Sequence, residues 1–177
     1  MKTLAPLQSK GIMANVRLAM KTIPLTQGQV AIVDDEDFER LNQWKWHAQR
    51  RTGGSWYARR SIWHPEIRWQ ENIGMHNVIL NCKPVDYIDG NGLNNTRLNI
   101  RKCTNAQNHA NMRKSHGLSK HKGVSWNKNS KKWVAHIGYN YKIEHLGSFR
   151  KEDDAARAYD LAATKLFGEF AYLNFPF

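Results

Sequence analysis

Cysteine is nearly missing from this 177-residue sequence: only Cys82 and Cys103 occur, with no Cys-x-x-Cys spacing. No clustered ligand set for zinc assembles around either thiol. Buried thiols in a reducing compartment are the expectation. Long apolar runs are also missing. None approaches the roughly 20 residues that span a bilayer, and no positive-then-apolar-then-cleavage pattern opens the chain. A membrane partner and a signal peptide are therefore not expected. Acidic side chains are scarce: 15 Asp and Glu face 27 Lys and Arg, giving a net charge of +12 and a pI near 9.9. Such an excess favours a polyanionic partner, and no small-molecule substrate is expected.

What is present is aromatic and unevenly charged. Seven Trp and six Tyr, with 41% hydrophobic residues overall, suggest small cores built around rings. The length allows one medium domain or two small ones. From Arg113 to Lys151 there are ten Lys and Arg against one acid, Glu144, and His116, His121, His136 and His145 lie in the same stretch. The acids cluster elsewhere, at Asp34-Asp35-Glu36-Asp37 and Glu152-Asp153-Asp154. This segregation points to one face made for nucleic acid.

Residues 1–21 show no periodicity and are expected to be a poorly ordered extension, with Met20 as an alternative start to Met1. Val30 to Val33 reads as a strand, and Asp35 to Asn42 as a short helix with acids at its positive end and Phe38 and Leu41 on its apolar face. Trp44 to Ala48 and Trp56 to Arg60 read as strands joined at Thr52-Gly53-Gly54. Their aromatics are assigned to packing and their arginines to contact with phosphate. Ile73 to Asn81 reads as a helix with Met75, Val78 and Ile79 inward. Val85 to Ile88 and Ile100 to Cys103 are strands around a long loop, and Thr104 caps a helix running to about Arg113. Ser115 to Lys120 is the linker. Beyond it, Gly123 to Trp126, Lys132 to Ile137 and a segment ending near Phe149 read as three strands. In the second, Trp133, Ala135 and Ile137 share one face, and Lys132, Val134 and His136 the other. Lys151 to Phe167 is a helix stopped by Gly168, with the stripe Ala155, Ala156, Tyr159, Ala162, Ala163, Leu166 and Phe167. Its alanines let it lie close on the sheet.

The segment from Val85 to Asn108 carries the chemistry. An acid, Asp86, ends an apolar stretch, an Asp89-Gly90-Asn91-Gly92 turn follows, and amides recur at Asn94, Asn95, Asn99 and Asn108. Carboxylate and carboxamide oxygens suit a hard divalent ion, which neutralises charge on a scissile phosphate. With Leu98-Asn99-Ile100-Arg101 and Gln107-Asn108 added, this pattern resembles the HNH endonuclease motif, closest to the phage and intron-encoded homing form with a ββα-metal hairpin. The resemblance covers residues 72–112 and extends weakly to about residue 22. It implies Asp86 and Asn108 as metal ligands, for Mg2+ or alternatively Mn2+, and Asn99 as an amide orienting the catalytic base. The base position, a histidine in that family, holds Tyr87 here. A phenol of pKa about 10 is ionised to roughly one part in a thousand at pH 7, whereas a positioned base supplies about a hundred- to ten-thousand-fold in rate. His76 and His109 are the substitutes within reach of the segment, although packing suits His76 and solvent or phosphate suits His109.

Lys122-Gly123-Val124, Trp133-Val134-Ala135-His136-Ile137, Leu146-Gly147-Ser148-Phe149, Ala155-Ala156-Arg157-Ala158-Tyr159-Asp160 and Leu173-Asn174-Phe175-Pro176 resemble the AP2/ERF DNA-binding domain. That resemblance implies a three-stranded antiparallel sheet packed on one helix, with its free face in the major groove. It implies Lys122, Ser125, Lys132, His136 and His145 as contacts, with Trp126 and Lys128 as lesser ones. Arginines that read guanine in that family are replaced by Ser125, Gly138 and Ile143, so the target sequence is not inherited.

The expected fold class is α+β: an extension over 1–21, an HNH module with a β-rich start over 22–114, and an AP2-like domain over 119–177. The expected function is a DNA-binding HNH endonuclease of a phage or mobile element, monomeric and working on double-stranded DNA in the cytoplasm of a bacterial host, at the nucleoid. The alternative is a catalytically impaired DNA-binding protein or repressor. A single-strand or RNA binder is a third reading.

Overall fold

The computed structural model describes residues 19–51, 54–114, 117–140 and 142–176. The expectation for 1–21 falls almost wholly outside them, as do the turn residues Thr52 and Gly53. Strand β1 (Met20–Pro24) pairs antiparallel with β2 (Val30–Asp34), and α1 (Asp35–Asn42) follows directly. The expected helix is found residue for residue, while β1 is an addition. It buries only Ile23, so it has no apolar period to read.

Strands β3 (His47–Arg50), β4 (Trp56–His64) and β5 (Trp69–Gly74) form a three-stranded antiparallel sheet. The first strand starts three residues later than expected, because Trp44 and Trp46 turn into the core before it. Helix α2 (Met75–Leu80) is shorter than expected and does bury Met75 and Ile79. Strands β6 (Val85–Tyr87) and β7 (Ile100–Lys102) pair around the long loop, and α3 (Asn105–Asn111) packs against β6. Thr104 is the N-cap, in a full capping box with Gln107. One core joins these elements: Ile23, Val33, Leu41, Trp46, Met75 and Ile100 among others.

The remaining elements are β8 (Val124–Asn127), β9 (Lys132–Tyr139), β10 (Lys142–Phe149) and α4 (Glu152–Phe167), followed by a 3-10 turn at Gly168–Phe170. The sheet order is β10-β9-β8, all antiparallel, with α4 across one face. Ala155, Ala156 and Ala163 are fully buried against Val124, Ala135 and Ile137. Their small size permits this close approach. Leu166 departs from the expected stripe and is exposed. Leu173 and Phe175 pack on this core as well.

The two halves touch through α3. The Lys122 ammonium donates to the His109 and Ala110 carbonyls, and Tyr172 N–H also donates to the Ala110 carbonyl. These bonds satisfy carbonyls that a helix end leaves without intrahelical partners. Among the described residues no helix is long and apolar enough to cross a membrane.

Candidate functional site at the hairpin and the basic sheet

The loop between β6 and β7 is built by its own amides. Asp89 accepts from the Asn91 N–H at 2.7 Å and from the Asn94 and Asn99 amides at 2.9 Å each. Asn99 also accepts from Asp89 N–H at 3.0 Å and donates to the Asn94 carbonyl at 2.8 Å. Asn99 therefore clasps the loop; its hydrogen bonds do not go to Tyr87. The acidic run before α1 supplies the shelf. Asp34 accepts from Arg97 N–H at 2.7 Å, and Asp37, buried on the inward side of α1, takes the Arg97 guanidinium through both oxygens at 2.8 and 2.9 Å. These carboxylates do more than complement the helix dipole.

Asp86, the middle residue of β6, lies inside the protein, with its side chain only 4% exposed. Directly opposite it on β7 stands Arg101, whose Nε donates to Asp86 Oδ2 at 2.9 Å and whose Nη2 forms an ion pair with the same oxygen at 2.9 Å. Asn111 Nδ2 lies 3.0 and 3.1 Å from the two Asp86 oxygens and 2.7 Å from the Tyr87 carbonyl. The helix amide that meets Asp86 is thus Asn111, one turn beyond the expected Asn108. Asn108 is half-buried, and its carboxamide makes no hydrogen bond among the described residues. Residues three apart share a helix face, and Asn108 and Asn111 are so related. A hard divalent ion needs several free oxygens. Here both oxygens of Asp86 are engaged by protein donors and its charge is matched by Arg101, so in this arrangement Asp86 and Asn108 do not fit a cation. The signal that sequence reasoning missed is the cross-strand charge pair Asp86–Arg101.

Tyr87 is buried, and its hydroxyl lies 2.6 Å from His76 Nδ1 and 3.0 Å from Asn95 Oδ1. Burial pushes the phenol far above its ordinary pKa of 10, reinforced by Tyr57 and Asp89. A phenol so placed is not a base near neutral pH. His76 does sit beside it, as a substitute base must. Burial first, then the charges of Arg59, Arg51 and Lys83, pull its imidazole down to about 4, so it is neutral and a weak proton acceptor. His109, the other substitute, is exposed. Asn95 is fully buried and its Nδ2 has no partner when Oδ1 accepts from Tyr87. With the amide turned, Nδ2 donates to the phenol oxygen and the phenol donates to neutral His76.

This depressed histidine predicts a pH effect. Its folded pKa lies below the unfolded value of 6.5, so the unfolded chain binds the proton more readily and stability is lost as pH falls from about 6.5 towards 4. Between pH 7 and 4.5 the loss through His76 is about 2 kcal/mol. Urea unfolding at both pH values is expected to show that extra loss in wild type relative to His76→Gln. Equal losses in the two proteins would mean that His76 titrates normally.

The basic sheet sorts the second set of expected residues. Ser125, Lys132, His136 and His145 share its outward face, since Ser125 pairs with Val134 and His136 with His145 in register. Burial lowers the His136 pKa, with Lys114 and His145 adding to it, so this imidazole is neutral near pH 7. Lys128 is exposed in the turn after β8. Trp126 alternates with Ser125 and packs edge-on against Trp133, 5.0 Å between centroids. Lys122 is committed to the α3 carbonyls, and burial lowers its ammonium to about 8. Arg113 and Lys114, not among the expected contacts, join Ser125, Lys128 and His136 around an open groove of about 530 Å3.

The chain is similar to known proteins of two kinds. Over 90 residues it is 40% identical to an uncharacterised HNH endonuclease of Acanthamoeba polyphaga mimivirus, a match covering 51% of this chain and 46% of that protein. It is 47% identical over 58 residues to the ethylene-responsive transcription factor ERF024 of Arabidopsis thaliana, 32% of each chain. The ethylene-responsive transcription factor WRI1 of the same plant is 38% identical over 63 residues, 34% of this chain and 15% of that one. The chain thus spans less than half the length of these relatives. Residues 119–169 match the AP2 domain family. Three antiparallel strands packed on α4 are in keeping with that match, and this part of the chain is an AP2 domain.

Proposed function

We propose that this protein binds double-stranded DNA through the outward face of its AP2 sheet, and that its hairpin and α3 are an HNH-type scaffold with little or no cleavage activity. AP2 membership and the +12 charge support the duplex as partner. Ser125, Lys132 and His145 lie exposed on that face, with Lys128 at its edge. Lysines there give phosphate contact and salt-sensitive affinity rather than base choice.

The observation that carries the second half is the tied Tyr87 hydroxyl, buried between His76 and Asn95 at the position where an HNH enzyme keeps its base. A repressor-like role at the nucleoid of a host cell follows from that reading. A second reading, metal-dependent cleavage with Mg2+ or Mn2+ by an enzyme of a phage or mobile element, is favoured by likeness to the viral protein named as an HNH endonuclease. It requires Arg101 to leave Asp86.

Gel retardation of a duplex and nicking of supercoiled plasmid separate the two. Wild type is expected to retard the duplex and to leave the plasmid intact with either metal. Nicking by wild type that disappears in Tyr87→Phe would overturn the impaired-site reading. Failure to retard duplex DNA at low salt would overturn the binding half.

A further inference from the structure

The sheet β3-β4-β5 has two unlike faces. Ala48 and Ala58 stand opposite each other in register and are buried on the core side. Side chains alternate along a strand, so Gln49, Tyr57, Arg59 and Ser61 take the other face, with Arg51 continuing it just past β3. That face is held in order by short bonds. Arg59 donates to Gln49 Oε1 at 2.6 Å, and Ser61 to Asn72 Oδ1 at 2.9 Å. The Arg51 guanidinium lies 5.7 Å from the centre of the Tyr57 ring. No carboxylate belongs to this face. Glu71, opposite Ile62 in register, lies on the core-side face and pairs with His64 and Lys83.

Arg40, Arg97 and Arg101 each have a carboxylate partner. Among the described residues most arginines, Arg50, Arg60, Arg68, Arg113, Arg150 and Arg157 included, have none, so what marks this face is that two such arginines, Arg51 and Arg59, stand together on it. They also border the hairpin site. Tyr57 meets Tyr87 edge-on at 5.7 Å, and the charges of Arg59, Arg51 and Lys83 bear together on neutral His76. Of these three, Lys83 is paired with Glu71, whereas Arg51 and Arg59 are left for an anion from outside.

We propose that the Arg51–Arg59 face of this sheet is a second contact surface for the phosphate backbone of duplex DNA, separate from the AP2 sheet. A guanidinium stacked on a ring keeps its N–H edge free for phosphate, and neighbouring amides and hydroxyls are the usual further donors to that backbone. The AP2 domain in the same chain supplies the reason for choosing the duplex over other polyanions. The inference therefore rests on the duplex-binding reading above.

Salt dependence tests it. Binding of the full chain to a duplex several helical turns long is measured from 50 to 200 mM salt for wild type, Arg51→Gln, Arg51→Lys and Arg51→Gln/Arg59→Gln. Each lost phosphate contact lowers the slope of log K against log salt by about 0.9. The double variant is expected to lose about 2 from the slope, so that its affinity changes about tenfold less than wild type over that salt range. Arg51→Gln alone, at an exposed position, should lose about 1 without change in melting, and Arg51→Lys should keep the wild-type slope. A double variant with the wild-type slope, in a chain that still binds duplex, overturns the second surface. Wild type that fails to bind duplex at all overturns the AP2 reading and this one together. A slope change seen on single strands but not on duplex overturns the choice of partner.

Discussion

Asp86→Ala is expected to destabilise the protein by about 3–5 kcal/mol, the usual range for breaking a buried pair by removing one member. The side chain of Asp86 is 4% exposed and that of Arg101 14%, so the stranded guanidinium has little access to water. Asn111 Nδ2 loses its two Asp86 acceptor contacts as well, keeping only the Tyr87 carbonyl. The damage should spread to the junction with the AP2 domain. Arg101 also donates to the Glu169 carbonyl at 3.0 Å and lies 3.8 Å from the Phe170 ring centre. Urea unfolding with linear extrapolation measures the loss. Asp86→Ala/Arg101→Met removes both charges and should recover part of it, because the cation left with only the exposed Glu169 carboxylate at 3.5 Å is gone. A loss below about 1 kcal/mol in Asp86→Ala would mean that the pair is open in solution. Asp86 would then be free for a cation, and the cleavage reading would regain its ligand. The same variant therefore bears on stability and function at once, which makes loss of activity in Asp86→Ala alone a poor proof of metal binding.

What the sequence could reveal depended on how local the cause was. Helix α1 and the Thr104 cap are set by neighbours within four residues, and both are found where expected. The alternation in β9 and the alanine stripe of α4 were legible because each element has one buried face. Strands β1 and β5 were not. The first buries one residue, and the second is mostly exposed, with Trp69 at 52%. Their partners, not their own patterns, make them strands. Trp63 and Trp69 likewise lie exposed on the β4–β5 hairpin. At the site, the hairpin, turn and following helix were legible from spacing. The Arg101 partner of Asp86 needed strand register, and the choice of Asn111 over Asn108 needed the distance between α3 and β6. Asn99 was expected to orient the base position, but its hydrogen bonds go to the Asp89 loop, which depends on how that loop closes on itself.

Gly123→Ala should disable the AP2 domain more than any single change on its DNA-facing surface. Gly123 has φ of +74°, a region that L side chains rarely adopt. A Cβ added there would run into the Tyr159 ring. Tyr159 cannot move aside, because it is 3% exposed and packed with Ile137 and Ala163 at the centre of the α4–sheet core. Overpacking a core costs about 1–3 kcal/mol, and the left-handed backbone adds about 1 kcal/mol, so a total near 2–4 kcal/mol is expected. The strain falls where β8 starts and where the Gly123 carbonyl accepts from His136 N–H at 2.9 Å. The edge of the sheet and its outward residues Ser125 and His136 should therefore be disturbed together. Duplex binding is expected to weaken at 37 °C and to recover on cooling, when the domain refolds, while Lys132→Ala weakens binding at every temperature without changing the melting point. If Gly123→Ala melts like wild type, Tyr159 has room that this packing denies it, and the close approach of α4 to the sheet is looser than its alanines imply.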